Sequence, residues 1–413
     1  MTRSGTFCAA LLALAAASGA GPALAQSLPA TRGPAENGQP AWFMQGSFPD
    51  PTGLTSTAPD GVVTVLPRPT LLPTLSLPNP PGCRKAQHCG NRLPGALPRS
   101  QMQRVQWEQT LGYDFTFPIF LPAGTGGVPS VALDSKQNLW VLQRKPEGMP
   151  QLFRYDRNNR LQLTVAEAVL PHHNKAHGMA VDADDNVWVI DTALATATKL
   201  SPDGKVLMRI GERGKRGDWD EAKGQRLLWE PVMLAFGKNG DIYIAEGHGN
   251  ESPNDTESDD AANQSGAARV IQLDKSGKFI RQWFGNNVGE GKFANAHAIA
   301  VDPQNGDVWI GDREDYRILV YSGDGRFLRQ ILTRNLVCAI QFDPEGNPWM
   351  ASGQDGQFLK MDRSGRVLGA IGNGMGIGKG QFIEASYWVF GKDMTLFAGD
   401  TSVSRVTVMK PRR

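Results

Sequence analysis

The chain has 413 residues, in which 43 Lys and Arg nearly balance 41 Asp and Glu, for a formal net charge of +2. No basic run interleaved with aromatic residues occurs, which argues against a nucleic-acid partner. The length alone would suggest two or three domains, but that expectation fails for folds built from repeats.

The first 25 residues are typical of a cleavable signal peptide. Arg3 precedes an apolar run from Phe7 to Ala17, and the small-x-small sequence Ala23-Leu24-Ala25 follows. This order of charge, short apolar segment and small-residue exit predicts cleavage after Ala25 and export to the periplasm or the medium. The run is too short for a membrane-spanning helix.

Residues 26–103 form a proline-rich arm or linker without strand alternation or helical period. The arm contains Cys83 and Cys89, and in an exported protein this spacing predicts a disulfide that closes a small loop. Cys338 is then left over, and we expect it to be a buried, reduced thiol.

From about residue 104 to 413 the chain repeats one unit, clearest at His177–Asp182 and Asn186–Asp191. Each unit consists of short alternating strands separated by Gly, Asp, Asn or Pro. Four strands in roughly forty to sixty residues is the size of one propeller blade. The sequence therefore predicts an all-β fold, a six-bladed β-propeller.

Two positions recur in all six units. The position of His177 starts each inner strand and is called the channel position below; its occupants are Pro129, His177, Val232, His297, Cys338 and Ser386. An aromatic residue follows eleven or twelve residues later and should fill the space between neighbouring sheets; these residues are Trp140, Trp188, Tyr243, Trp309, Trp349 and Phe397.

The sixth unit ends one strand short, at Ser404–Met409. Because a ring must close and closure removes exposed sheet edges, an N-terminal strand should complete the last blade. Residues 104–111 resemble the outer strands, so we expect them to pair with 404–409.

The channel positions should ring the mouth of a central channel, where propellers bind ligands. His177 and His297 come from alternate blades, and two imidazoles facing one channel indicate a metal site. The alternative is that both are hydrogen-bonded channel histidines without a metal.

Three stretches carry a resemblance to a known family: residues 176–191, 296–302 and 311–315. The region from about 104 to 410 resembles the NHL-type propeller of the peptidyl-α-hydroxyglycine α-amidating lyases and their bacterial relatives. The resemblance implies zinc held by three histidines from alternate blades, and cleavage of a hydroxyglycine C–N bond beside an arginine and a tyrosine.

Carried over residue by residue, the resemblance makes His177 and His297 the first two zinc ligands. It makes Arg313 a substrate-binding arginine, and Arg144 is similar to the first-blade arginine of the family. His248 stands at the position of the catalytic tyrosine, as in many bacterial relatives.

Two positions depart from the family pattern. The third zinc ligand should fall at Ser386, and the acidic calcium ligand that follows it is Tyr387 here. Serine is a poor zinc ligand at neutral pH, so His248, Cys338 or Glu384 would have to substitute, and a thiolate is the best zinc ligand of the three.

An acidic insertion, Gly249–Gly266, lengthens the third blade. It could be a calcium loop or a lid over the channel, but its spacing does not match the usual calcium-binding loop. The composition favours a solvated polar loop.

Two functions remain open. The first is a metal-dependent lyase or hydrolase, in which Arg144 and Arg313 hold an anionic small-molecule or peptide ligand and His248 acts as acid or base. The second is a propeller that binds a peptide or protein partner at its rim and catalyses nothing.

Overall fold

The computed structural model describes residues 105–412 apart from 145–147, 171–175, 249–267, 286–290, 294 and 314–315, and also 55–57, 63–65, 67 and 69–71. The predicted signal peptide, Cys83, Cys89 and the acidic insertion lie outside the described residues. Cys338 is buried, as predicted, and forms no disulfide within the described part of the chain. Among the described residues, no helix is long and apolar enough to cross a membrane.

Six antiparallel sheets confirm the predicted six-bladed propeller. In blades 1 to 5 all four strands are consecutive in sequence, with the first strand on the inside. From the innermost strand outward, the strands are Gly127–Leu133, Leu139–Arg144, Leu152–Tyr155 and Leu161–Val165 (blade 1); Ala176–Val181, Val187–Asp191, Thr196–Leu200 and Val206–Ile210 (blade 2); Pro231–Phe236, Ile242–Glu246, Arg269–Leu273 and Phe279–Phe284 (blade 3); Ala296–Val301, Val308–Asp312, Arg317–Tyr321 and Phe327–Leu332 (blade 4); Val337–Phe342, Pro348–Ser352, Gln357–Met361 and Val367–Ile371 (blade 5).

Blade 6 closes the ring with strands from both ends of the described chain. Its three C-terminal strands are Ala385–Phe390, Leu396–Asp400 and Val403–Pro411. The fourth is N-terminal, because Tyr113–Phe115 and Ile119–Phe120 both pair with Val403–Pro411. Closure by an N-terminal strand is therefore confirmed, but the expected segment, 104–111, was wrong.

Part of the segment 104–111, which we expected to close the ring, pairs with a different strand. Val105–Trp107 pairs with Pro69–Leu71, and its Val105 and Trp107 side chains are buried in a cluster with residues of blades 4 and 5. The Trp107 indole donates to Asn335 Oδ1 at 2.8 Å, and its backbone N–H and C=O bond the side chain of Gln357. These contacts hold the segment against blades 4 and 5, away from blade 6.

The remaining short elements are a two-stranded pair at Thr55–Thr57 and Val63–Val65, a second pair at Trp219–Asp220 and Gln225–Arg226, and 3-10 turns at Glu221–Lys223 and Gly353–Asp355.

The recurring aromatic residue packs between blades, as predicted. Three tryptophans contact the phenylalanine that ends the inner strand of the following blade, with ring centroids 5.1–6.2 Å apart; the pairs are Trp188–Phe236, Trp309–Phe342 and Trp349–Phe390. All three tryptophans are buried. Each blade thus covers the apolar face of the next.

We call the position three residues after each recurring aromatic the junction position; it lies near the end of the second strand. Its occupants are Gln143, Asp191, Glu246, Asp312, Ser352 and Asp400. In blades 3 and 4 it is acidic and accepts the N–H of the connection from the preceding blade, at Trp229 and Asn295. The first residue of the third strand, Arg269 or Arg317, neutralises the acid with a buried guanidinium.

Blade 2 lacks this pairing. Asp191 stands in register with Thr196, whose side chain carries no charge. Its Oδ1 accepts the N–H of Leu194, whereas Oδ2 is buried and has no hydrogen-bond partner among the described residues. Burial raises the pKa of Asp191 to about 7, opposed in part by backbone hydrogen bonds from Leu194 and Ala193 and, more weakly, by nearby arginine charges.

Replacing Trp107 with Ala should lower the free energy of unfolding by about 3–5 kcal/mol, because it removes a buried indole and its bond to Asn335. Chemical denaturation measures the change. Phe117→Ala is the control, since Phe117 is 82% exposed and should change stability by less than about 0.5 kcal/mol. An equal effect of both replacements would show that the Trp107 segment is not anchored.

Asp191 should make stability depend on pH. Its folded pKa lies above the unfolded value, so the folded state binds more protons between about pH 4 and pH 7, and stability falls as pH rises through that window. Asp191→Asn keeps the bond to Leu194 and should remove this fall, which approaches ~1.4 kcal/mol per pH unit inside the window. Denaturation of both proteins from pH 4 to pH 8 tests this; parallel curves would contradict it.

Candidate metal and anion site

Three histidines meet at one end of the channel. His177 and His297 are the second residues of the inner strands of blades 2 and 4, and His248 follows the second strand of blade 3. The ring centroids lie 4.8 Å apart for His177–His248 and His177–His297, and 4.9 Å apart for His248–His297. One nitrogen from each of the three lies within 4.8 Å of the others.

The two inner-strand imidazoles are oriented by the next blade. His177 Nδ1 lies 3.1 Å from the carbonyl oxygen of Val232, and His297 Nδ1 lies 2.8 Å from that of Cys338. A carbonyl oxygen only accepts, so each Nδ1 donates and carries the proton. Each Nε2 therefore keeps its lone pair, the state required of a metal ligand.

The same two histidines are neutral. Burial lowers the pKa of His177 well below its usual value, and the nearby His248, His297 and the two arginines lower it further. The pKa of His297 is lowered in the same way, first by burial and then by Arg313. Two imidazoles that resist protonation are better ligands for a metal ion than acceptors of a proton.

Arg144 and Arg313 flank the cluster from equivalent positions. Each is the fourth residue after the recurring aromatic, in blades 1 and 4 respectively. Arg144 Nε donates to the carbonyl of Ala176 at 2.7 Å, and Arg313 Nη2 donates to Glu384 Oε1 at 2.9 Å. Two oriented guanidiniums beside buried neutral groups give this end of the channel a positive potential suited to an anionic ligand.

Glu384 is an ionised partner of this group. Burial opposes its ionisation, but the charges of Arg313 and Arg144 and a hydrogen bond from Thr401 hold its pKa below the usual value. Its Oε2 accepts from Thr401 Oγ1 at 3.0 Å while Oε1 pairs with Arg313. The carboxylate therefore fixes the guanidinium from the blade 6 side.

Two further residues position the histidines. The backbone carbonyl of Asn295 accepts from the N–H groups of His297 and Arg313, and its side-chain amide donates to the His248 carbonyl at 3.2 Å. The Tyr387 hydroxyl donates to the carbonyl of His297, and its ring stacks on the His297 imidazole. Sequence reasoning missed both roles, although Asn295 stands two residues before His297 and Tyr387 directly follows a channel position.

The sequence-predicted residues converge at this site. His177 and His297 face one space, with His248 in contact with both and Arg144 and Arg313 nearby. Cys338 and Glu384, the other candidates for a third ligand, are not members of the group of donor atoms within 4.8 Å. Cys338 contributes its carbonyl to His297, and Glu384 pairs with Arg313 and Thr401.

The donor set fits a zinc-like ion. Neutral imidazoles are common ligands of zinc, and three protein ligands with an open fourth position characterise its catalytic sites. The backbone carbonyls behind His177 and His297 supply the outer hydrogen bonds that usually fix the tautomer of metal-binding histidines. Nothing in the described residues points to calcium at this site.

Comparison with known proteins agrees with the fold. The family model of the NHL repeat matches residues 293–321. The chain is 27% identical to the mouse peptidyl-glycine α-amidating monooxygenase over 66% of this chain and 30% of that protein. It is 28% identical to the peptidyl-α-hydroxyglycine α-amidating lyase 1 of Drosophila melanogaster over 37% of this chain and 26% of that protein.

Among solved structures, a streptogramin B lyase covers 73% of this chain and 98% of its own at 12% identity, with a TM-score of 0.49. The chain spans about a quarter to a third of the length of the mouse, rat and Xenopus laevis amidating monooxygenases that it matches. It is a six-bladed propeller that matches the NHL repeat over residues 293–321 and is similar over part of its length to amidating enzymes and lyases.

Replacing Glu384 with Gln should lower the free energy of unfolding by about 1–3 kcal/mol, because Arg313 is largely buried and would lose its charged partner. Thermal or chemical denaturation measures the loss. Glu345→Gln is a matched control, since the Glu345 side chain is 67% exposed and lies 4.0 Å from Lys360. If both variants are equally stable, Glu384 does not anchor Arg313.

Proposed function

We propose that this protein is an exported, metal-dependent lyase that cleaves the C–N bond of a peptidyl-α-hydroxyglycine or a close analogue. The observation that carries the proposal is the cluster of three imidazoles whose ligand nitrogens lie within 4.8 Å of one another, flanked by Arg144 and Arg313. The names of the relatives supply the substrate class. Export to the periplasm or the medium rests on the signal-peptide pattern of residues 1–25.

His177, His248 and His297 would hold the metal, which we take to be zinc. A zinc ion at this position would polarise a substrate oxygen and stabilise negative charge on it. His248 is assigned as the third ligand rather than as acid or base, because a lone pair that binds a metal is not available to a proton. It replaces the ligand that Ser386 does not supply.

The arginines would bind the substrate carboxylate. Arg144 is oriented by the Ala176 carbonyl and Arg313 by Glu384, so both guanidiniums are ordered before a ligand arrives. In the reaction the substrate hydroxyl loses its proton, a C=O bond forms, the C–N bond breaks and the amide nitrogen gains a proton. The products are a carboxylated aldehyde, glyoxylate for an unsubstituted hydroxyglycine, and a peptide amide.

Metal analysis of the purified protein tests whether the three histidines hold a metal. We expect about one zinc per chain, and we expect His297→Ala and His248→Gln each to weaken zinc binding by more than ~100-fold, beyond the 10–100-fold typical of outer-shell partners. The fold control is Arg157→Ala, because Arg157 lies on the exposed surface, where it donates to the Lys136 carbonyl. Chelator competition measures the affinities.

His248→Gln separates the two roles of that residue. If the variant loses both its metal and its ability to release glyoxylate, His248 is a metal ligand. If it keeps its full metal content but loses activity, His248 is an acid or base. A wild-type protein that binds no metal and releases no glyoxylate from a hydroxyglycine peptide would refute the lyase and leave a propeller that only binds a partner.

A further inference from the structure

A small cavity lies between blades 1 and 2 and shares no lining residue with the histidine cluster. Its volume is about 20 Å³, more than the ~10–15 Å³ that one water molecule or one small ion requires. Apolar surface forms most of its lining, to which Leu170, Val189 and Leu194 contribute, and the polar lining residues include Asp191, Thr196, Thr198 and Gln151 of blade 1. Asp191 is 6% exposed, and its Oδ2 has no hydrogen-bond partner among the described residues.

Blades 3 and 4 place a cation here that blade 2 lacks, whereas the junction acid of blade 6, Asp400, accepts from the backbone N–H groups of Ile383 and Ser402. In blades 3 and 4 the junction acid is paired with a buried arginine, whose guanidinium also reaches the backbone carbonyls of the preceding connection, at Leu227 and Lys292. In blade 2 the corresponding residue is Thr196, which is too short and uncharged. The cavity therefore lies beside the acid at which the other two blades place a nitrogen cation.

In blade 2 an arginine stands on the outer strand instead of the third strand. Arg209 occupies the outer-strand position at which Gln282 and Gln330 accept from the buried arginines of blades 3 and 4. Arg209 and Arg213 both line the cavity, and both are exposed. The cavity thus has a buried carboxylate on its inner side and two guanidiniums on its solvent side.

This arrangement of charges selects among ligands. A simple cation would suit Asp191 but be repelled by Arg209 and Arg213, and a simple anion would suit the arginines but face the carboxylate. A molecule that carries both charges a few bonds apart satisfies both ends. The small volume admits an ammonium group and keeps the remainder of the ligand at the entrance.

We propose that this cavity binds a small zwitterion, an amine that carries a carboxylate, such as a free amino acid. The ammonium group donates to Asp191 Oδ2 and to the hydroxyls of Thr196 and Thr198. The carboxylate lies between Arg209 and Arg213. The cavity has no lining residue in common with the histidine cluster, and the proposed binding does not depend on metal or on turnover.

Calorimetric titration of the full protein with glycine tests the proposal. Methylammonium probes the ammonium half of the ligand alone, and acetate probes the carboxylate half alone. We expect glycine to bind at least tenfold more tightly than either half. Asp191→Asn should weaken glycine binding at least tenfold, and Arg213→Ala should weaken it less, because Arg213 is exposed and screened by solvent.

Thr196→Arg is the matched variant that the other blades suggest. Its guanidinium should fill the cavity, pair with Asp191 and abolish glycine binding; Asp191→Asn serves the same purpose if Thr196→Arg does not fold. Absence of glycine binding, equal binding of methylammonium, or unchanged binding in Asp191→Asn would each overturn the proposal. Zinc content should be the same in all of these proteins.

Discussion

The candidate site depends on one repeated contact between blades. In blades 2 and 4 the imidazole at the channel position donates to the backbone carbonyl of the channel position in the next blade, His177 to Val232 and His297 to Cys338. This contact sets the tautomer and the direction of Nε2 together. It also requires close approach of the backbones, since a Cβ at Gly178 would lie 2.4 Å from the Val232 carbonyl oxygen.

Because neighbouring blades orient the histidines, the geometry of the site depends on the closed ring. Blade 6 supplies Glu384 and Tyr387, which hold Arg313 and His297 of blade 4 from across the channel. Blade 6 in turn is completed by Tyr113–Phe115 and Ile119–Phe120. The N-terminal strand therefore contributes to the site without contacting it, by fixing the last sheet against the first.

Period-two alternation and the recurring aromatic residue were sufficient to predict six blades, because every blade must bury the same faces. The closing strand was placed wrongly because Val105–Trp107 and Tyr113–Phe115 alternate alike; what separates them is the bond from Trp107 to Asn335, more than two hundred residues away. His177, His297, Arg144 and Arg313 could be named from repeat positions. The inclusion of His248 in the cluster could not, since it follows the second strand and its distance to His177 depends on how blades 2 and 3 pack.

Comparing the six copies of the unit distinguishes residues that serve packing from residues that serve the site. At the fourth position after the aromatic, Thr192 bonds a neighbouring carbonyl, and Gly353 leaves space for the Cys338 thiol, so these residues serve packing. Arginine stands there only in blades 1 and 4, and both copies flank the histidines. The junction position shows the reverse case, since Glu246 and Asp312 each have a buried arginine and Asp191 has none. Burying a carboxylate without a paired cation is costly, and burial accordingly raises the pKa both of Asp191 and of Asp400, the junction acid of blade 6.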